Sequence, residues 1–264
     1  MKSLCLVWVL ALAAPQDKIT LAFNPKKGDR LVRSETSGMS MKARIVAGDQ
    51  EQVIEFEQKE SEKSSLEYAD VADGKLTRSI YKCQENVEEK KGPPSLQWEK
   101  REKPLQGRTI TMSLKDGKLV REGADGLDEK MLKKLDLYDR TSLIFPKTAV
   151  AAGDSWDVEG DDARKFLAAD TEIKEAKIKV KLLAVKDIEG RRCAVLNAVL
   201  ELSGKADGDL EMTLKLDVEV VVWIERGYAL SVRGKGSLTM KGENAQFKMS
   251  GQGPMSLEIT TKVE

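Results

Sequence analysis

From Leu210 to Ile224 every even-numbered residue is apolar: Leu210, Met212, Leu214, Leu216, Val218, Val220, Val222 and Ile224. The odd positions begin polar, with Glu211, Thr213, Lys215, Asp217 and Glu219. A strand sends successive side chains to opposite faces, so this run has one dry face and one wet face. Wound as a helix it would leave apolar residues on every side. A strand this long, apolar along one face, needs something to cover that face, and this need governs what the rest of the chain can be.

The same period recurs on both sides. Leu230, Val232, Leu238 and Met240 alternate with Ser231, Arg233, Ser237 and Lys241. Phe247, Met249, Met255, Leu257, Ile259 and Val263 outline a last strand. Upstream, Ala176, Ile178, Val180 and Leu182 alternate with lysines, and Ala194–Leu202 reads as another strand. Turn residues separate these runs: Asp187 to Gly190, Lys205 to Gly208, Arg226-Gly227 and Gly242 to Asn244. Short connections favour antiparallel neighbours, so the segment from about 154 to 264 should hold a five-strand meander. The N-terminal half, about 18–122, offers strands at Lys18–Asn24, Arg30–Val46, Gln50–Val71, Lys75–Val87, Leu96–Lys100, Arg108–Lys115 and Lys118–Arg121. Asp116-Gly117 and Asp73-Gly74 mark hairpin turns between them. Between the halves, Leu127, Met131, Leu135 and Tyr138 share one face of a helix expected over 125–138, with Asp125 as its N-cap. A shorter helix is expected over 161–168. Gly28-Asp29 and Gly153-Asp154 each open a strand; with only two shared residues, coincidence is the simpler account of that echo.

The expected fold class is mainly β. It is one long-stranded, curved antiparallel sheet, a half-barrel or flattened barrel, with a central amphipathic helix over one apolar mouth. Four Trp, four Tyr and five Phe are too few for the aromatic girdles of an outer-membrane barrel.

Composition narrows the function. Lys and Arg number 44 and Asp and Glu 44, so no basic field exists to hold nucleic acid or anionic lipid. There is no histidine, which removes the commonest general base, the commonest zinc ligand and every Ser/His or Cys/His pair. The first residues read as a leader: Lys2 is the charged region, Leu4–Leu12 the apolar region, and Ala11-Leu12-Ala13 the cleavage signal. Residues 1–13 are therefore expected to be removed, leaving 14–264 as a single β-rich domain that is exported to the periplasm or beyond. No segment is apolar for long enough to span a bilayer as a helix. Export allows a disulfide, and Cys83 and Cys193 are the two cysteines left to form one. Such a bridge would staple the halves and stabilise by ~4–5 kcal/mol in the chain-entropy model.

The remaining motifs do not assemble into a catalytic set. Asp154, Asp157, Glu159, Asp161 and Asp162 are acidic enough to interest calcium but fail the EF-hand spacing, and read as a solvated strand end and helix start. Ser79 and Lys82 match the Ser-x-x-Lys pattern, yet residues three apart in a strand point to opposite faces. Trp156 and Trp223 are expected in or beside the core and Trp98 at a rim. Lys174, Lys177, Lys179 and Lys181 belong to a wet sheet face with cross-strand ion pairs.

Several motifs together resemble a family of uncharacterised bacterial exported envelope proteins. They are Gly28-Asp29-Arg30-Leu31-Val32, Leu105-Gln106-Gly107-Arg108-Thr109, Lys115-Asp116-Gly117-Lys118-Leu119-Val120, Gly126-Leu127, Phe145-Pro146 and Ala152-Gly153-Asp154-Ser155-Trp156. Many members carry a lipid-attachment cysteine after the leader, and this chain has none there. The arrangement is also similar, at the level of fold, to the lipoprotein-localisation carriers (LolA/LolB type), in which a curved sheet cups helices and holds acyl chains. That likeness implies a non-catalytic envelope protein, without cofactor or metal, that binds a lipid or a lipidated partner. The ligand site would lie between Leu127, Met131 and Leu135 of the helix and the sheet positions Leu214, Leu216, Val232 and Phe247. Flexible methionines on the same face, Met212, Met240, Met249 and Met255, suit an adaptable apolar pocket. The alternative is a structural or adaptor protein whose β core packs on itself and holds no ligand.

Overall fold

A computed structural model describes residues 17–93, 96–167, 172–206, 210–243 and 248–264. The expected leader and Phe247 lie outside them. Among the described residues twelve strands form one antiparallel sheet. They are β1 (Arg30–Ala47), β2 (Gln50–Ala72), β3 (Lys75–Lys91), β4 (Glu99–Glu102), β5 (Thr109–Lys115), β6 (Lys118–Glu122), β7 (Ser155–Glu159), β8 (Glu172–Ile188), β9 (Arg191–Ala206), β10 (Leu210–Trp223), β11 (Tyr228–Glu243) and β12 (Lys248–Val263). Their spatial order is β6-β5-β3-β2-β1-β12-β11-β10-β9-β8-β7, with β4 beside β3. The expected C-terminal meander is β8 to β12. Asp73-Gly74, Asp116-Gly117 and Glu189-Gly190 all place two successive residues at positive φ, the geometry of a tight hairpin turn that matches strand twist.

The sheet is open. Its outer strands β6 and β7 are five residues each and do not pair, so the flattened-barrel form of the expectation does not hold. Short edges of this kind limit edge-to-edge association. The expected strand at Lys18–Asn24 is an extended stretch with a single bridge, Ile19 to Val150, although Ile19 and Leu21 are buried.

Two helices flank β7: α1 (Glu129–Lys134) and α2 (Gly160–Leu167). The first is much shorter than the expected 125–138. It starts later because Asp128, and not Asp125, caps it by accepting from the Met131 N–H. It stops at Leu135 because the carboxylates beyond it capture backbone N–H groups. Asp136 accepts from Leu137 N–H, and Asp139 accepts from Thr141 N–H to cap a 3-10 turn at Arg140–Ile144.

The core has two centres. One gathers Ile178, Val180, Leu182, Leu196, Ala198, Val218 and Val220 of the C-terminal meander under Ile19, Leu21 and Ile144. The other packs Leu31, Tyr68, Tyr81, Ile110 and Met112 of the N-terminal half against Leu127, Leu135, Leu137 and Tyr228. The two Gly-Asp turns turn out to be built alike. Asp29 accepts from Lys26 N–H, Gly28 N–H donates to Tyr68 O, and Tyr68 N–H returns to Asp29 O. Asp154 likewise accepts from Ala151 N–H, Gly153 N–H donates to Leu182 O, and Leu182 N–H returns to Asp154 O. Each turn thus docks its own strand onto the next one.

Candidate functional site

A cavity of about 670 Å3 lies between the sheet and the segment that joins its halves. Strand register explains its walls, because residues directly opposite in an antiparallel ladder share a face. One such row runs Asn86, Glu62, Glu35, Ile259, Val232, Val220, Leu196 from β3 to β9. The next runs Glu88, Glu60, Ser37, Leu257, Gly234, Val218, Ala198. Both rows change from polar to apolar at the seam between β1 and β12. The cavity therefore has a carboxylate-bearing wall on β1 to β3 and an apolar wall on β9 to β12.

Hydrogen bonds fix the polar wall. Glu62 accepts from Tyr81 Oη at 2.8 Å and from Asn86 Nδ2 at 2.9 Å. Gln58 donates to Glu60 at 2.7 Å and to Glu88 at 2.9 Å, and Lys103 reaches Glu60 at 2.9 Å. Burial, reinforced by the Glu62 carboxylate, pushes the Tyr81 phenol well above its ordinary pKa. Tyr81 is therefore a donor to Glu62 and not an acid at neutral pH.

The roof is pinned at several points. Arg33 of β1 pairs with Asp139, which also accepts from the Thr141 hydroxyl. Arg121 of β6 donates to Leu135 O at 2.9 Å. Arg140 donates to Lys165 O at 3.1 Å, and Trp156 Nε1 to Ile144 O at 2.8 Å. The roof contributes Met131, Leu135 and Tyr138, and α2 contributes Phe166.

Of the residues expected at a ligand site, Met131, Leu135, Leu214, Leu216 and Val232 line this cavity. Leu127 does not; it is buried in the core beneath β5 and β6. The polar wall was not anticipated. Its signal was present: Arg33, Glu35 and Ser37 occupy the parity of Leu31, Met39 and Met41, so they interrupt an otherwise apolar face.

The expected cysteine bridge is not formed. Cys83 and Cys193 are both free and buried, on β3 and β9, six strand-to-strand steps apart. Each thiol donates to a carbonyl two residues away in its own strand, Cys83 to Glu85 O or Cys193 to Arg191 O. Burial raises both thiol pKa values.

Ser79 is fully buried in β3, while Lys82 is exposed. No group of three or more His, Cys, Asp or Glu suited to a metal occurs among the described residues. Asp157 and Glu159 instead stand opposite Lys179 and Lys177 on an exposed face of β7 and β8. Trp156 and Trp223 pack against the two core centres, and Trp98 is exposed beneath Lys59. No helix among the described residues is long and apolar enough to cross a membrane.

No family model matches this chain, and no curated protein matches it in sequence. Among solved structures, lipovitellin, from work on its lipid–protein interactions, aligns with a TM-score of 0.51 at 6% identity. That alignment covers 90% of this chain and 26% of the lipovitellin chain, so this chain spans about a quarter of that protein's length. The likeness is one of fold. Alignments also exist to a DUF1329 family protein from Desulfovibrio piger and to a putative outer membrane lipoprotein-sorting protein domain from Vibrio parahaemolyticus. Their TM-scores are 0.15 and 0.14 at 10% and 8% identity, with 90% and 87% of this chain covered and 85% and 84% of theirs. Superpositions that loose carry no structural argument.

Proposed function

We propose that this protein is a non-catalytic, exported envelope protein that holds a hydrophobic ligand, or the acyl chain of a lipidated partner. The site is the cavity between the α1–Ile144 segment and the inner face of the sheet. One observation carries the reading: a cavity of about 670 Å3, within the range of small-molecule sites, whose one wall is continuous aliphatic side chains. Leu216 and Leu214 lead from it to the half-buried Met212 and Leu210, which extend the apolar face along β10. The proposal includes a sheet bent into a half-barrel. In support, a Cβ at Gly236 would fall 1.9 Å from Lys215 O, and one at Gly253 1.6 Å from Ser40 O. Strands that approach so closely at glycine are typical of sheet bends. The β1–β12 ladder also skips Ser40 and Met41, opposite Gly253 and Pro254. Lipovitellin, whose fold is similar, was studied for its lipid–protein interactions, which agrees with this reading. Export rests on the leader, and the non-catalytic reading on a sequence without histidine and on the lack of an assembled nucleophile and base among the described residues.

The test has two parts. Native mass spectrometry of protein taken from its own envelope fraction should show a bound lipid or lipidated partner. Uptake of a neutral fluorescent probe, N-phenyl-1-naphthylamine, should fall in Leu216→Trp and Met131→Trp proteins that keep wild-type circular dichroism. A wild type that takes up no probe, or variants that unfold from overpacking, would favour a self-packed structural protein instead.

A further inference from the structure

We propose that residues 17–24 form a strap, hinged at the Lys26–Asp29 turn, that governs access to the cavity: it holds the roof down, and its release lets the roof lift while the sheet stays intact. The inference rests on the proposed carrier function and adds how that site opens and closes. The strap alternates as a strand does. Ile19 and Leu21 are buried and Phe23 is half-buried, while Lys18, Thr20, Ala22 and Asn24 are exposed. Yet it does not join the ladder. Among the described residues its backbone is bonded at two places. Ile19 and Val150 exchange both N–H···O bonds, at 2.8 and 2.9 Å, and Asn24 N–H donates to Arg226 O at 3.0 Å. The Asn24 side chain adds a donor to Glu225 O at 3.3 Å.

What the strap holds is the roof segment from Tyr138 to Val150, at both of its ends. At one end Phe23 packs against Tyr138, a cavity-lining side chain, with ring centroids 5.4 Å apart. The same Phe23 ring is anchored on Tyr68 and Tyr228, at 5.7 and 6.0 Å. At the other end Ile19 is bonded to Val150, and Ile144 between them shares a core centre with Ile19 and Leu21. The strap is seated closely on the turn between β10 and β11: a Cβ at Gly227 would fall 2.3 Å from Ala22 O, so only glycine fits beneath it. The sheet cannot open without breaking a long ladder. The roof holds only a six-residue helix and a five-residue 3-10 turn, too short to keep their place unaided. Its other tethers are single contacts, Arg33 to Asp139, Arg121 to Leu135 O and Trp156 to Ile144 O. Segments with few backbone bonds open locally at a fraction of the cost of global unfolding. Strap and roof are therefore the movable side of the cavity and the sheet its fixed side, and withdrawal of Phe23 from Tyr138 couples the two.

A reversible cross-link tests this. Ile19 and Val150 form a hydrogen-bonded antiparallel pair, whose Cα atoms stand about 5.5 Å apart, within the span of a disulfide. In Ile19→Cys/Val150→Cys protein, oxidation should slow both uptake and release of N-phenyl-1-naphthylamine by at least about tenfold in stopped-flow fluorescence. The dissociation constant should stay unchanged, and reductant should restore the wild-type rates. The native Cys83 and Cys193 are buried and do not compete for the bridge. Phe23→Leu, which keeps an apolar side chain but loses the ring contact, should quicken both rates by about two- to tenfold, the worth of an aromatic pair. In the unmodified protein, hydrogen exchange should show residues 17–24 and 138–150 opening together and ahead of β8 to β11. These two measurements decide the matter if the cysteine pair disturbs folding. Wild-type rates in protein whose bridge is confirmed by thiol titration overturn the inference and leave a carrier with another entrance. Unchanged rates in Phe23→Leu, or a strap and roof that exchange no faster than β8 to β11, do the same. A wild type that takes up no probe overturns instead the carrier reading beneath it.

Discussion

If the apolar wall holds an alkyl chain, affinity must grow with chain length by an amount that burial sets. Each methylene taken from water into an apolar site contributes about 0.8 kcal/mol, which is about fourfold in affinity. At roughly 30 Å3 per methylene-sized group, the share a water takes in the liquid, a cavity of about 670 Å3 has room for about twenty such groups. Part of that room borders the carboxylate wall and belongs to the head. A dodecyl chain therefore fits, and the fourfold increments should persist from octyl through dodecyl maltoside, about 200-fold over the series. Uncharged heads keep electrostatics out of the comparison. Probe displacement or calorimetry below the critical micelle concentration reads the series directly. Leu216 lines the cavity one row beyond Val218, away from the Glu35–Glu62 row, so Leu216→Trp should leave octyl maltoside nearly unchanged and flatten the gain for longer chains. Increments below about 1.5-fold per methylene would show that no chain is being buried. An identical series in the wild type and in Leu216→Trp would place the binding elsewhere on the molecule.

Three further outcomes follow from the same structure. Tyr228 is buried and donates to Asp29 at 2.6 Å, so Tyr228→Phe should cost about 1.5–3 kcal/mol and lower Tm by roughly 3–10 °C in thermal melts; an unchanged Tm would show that Arg226, 3.5 Å away, suffices for Asp29. Burial raises the pKa of Tyr68, Tyr81 and Tyr228, joined at Tyr228 by the hydrogen bond to Asp29, so these groups contribute fully below the unfolded phenol value of ~10. Their contribution falls as pH rises past that value toward the folded pKa, and melts between pH 7 and 11 should decline only at the alkaline end; early tyrosinate absorbance at 295 nm in the folded protein would contradict the burial. Protein without its leader should show two free thiols when unfolded under non-reducing conditions, both slow to react in the native state because burial holds them protonated; no thiols after unfolding would restore the Cys83–Cys193 bridge.

Much of the sheet was legible because period-two alternation is a local property. β1, β2, β3, β5 and β6 and the C-terminal meander stand within a few residues of where alternation and turn residues put them. Elements that depend on competition were not legible. The helix at 125–138 shrank to six residues because Asp136 and Asp139 bind backbone N–H groups, an alternative that apolar spacing does not register. Lys18–Asn24 alternates correctly yet finds only one bridge, since neighbouring strands are a tertiary matter. At the site, five of the expected lining residues meet at one cavity because they share strand parity or the roof. Leu127 is drawn into the core instead, and the carboxylate wall came from interruptions of the apolar period on β1 and β2.

Those interruptions separate two halves that are otherwise built to one plan. Each half begins with the same Gly-Asp turn, docks its first strand onto its second, and continues through antiparallel neighbours, β1-β2-β3-β5-β6 in one and β7-β8-β9-β10-β11-β12 in the other. The halves join where the first strand of one meets the last strand of the other, β1 against β12. In the C-terminal half the inner face carries Leu196, Val218 and Val220, apolar side chains of the core that also holds Ile144. In the N-terminal half the inner positions of β1 and β2 are Arg33, Glu35, Glu60 and Glu62. A self-packed core gains nothing from that exchange, because carboxylates on an inner face must be solvated or hydrogen-bonded at a cost in burial. A cavity whose occupant is apolar at one end and polar at the other requires it. The placement of this change in polarity at the seam between halves, beneath the roof that links them, is what favours an amphiphile site over a structural sheet.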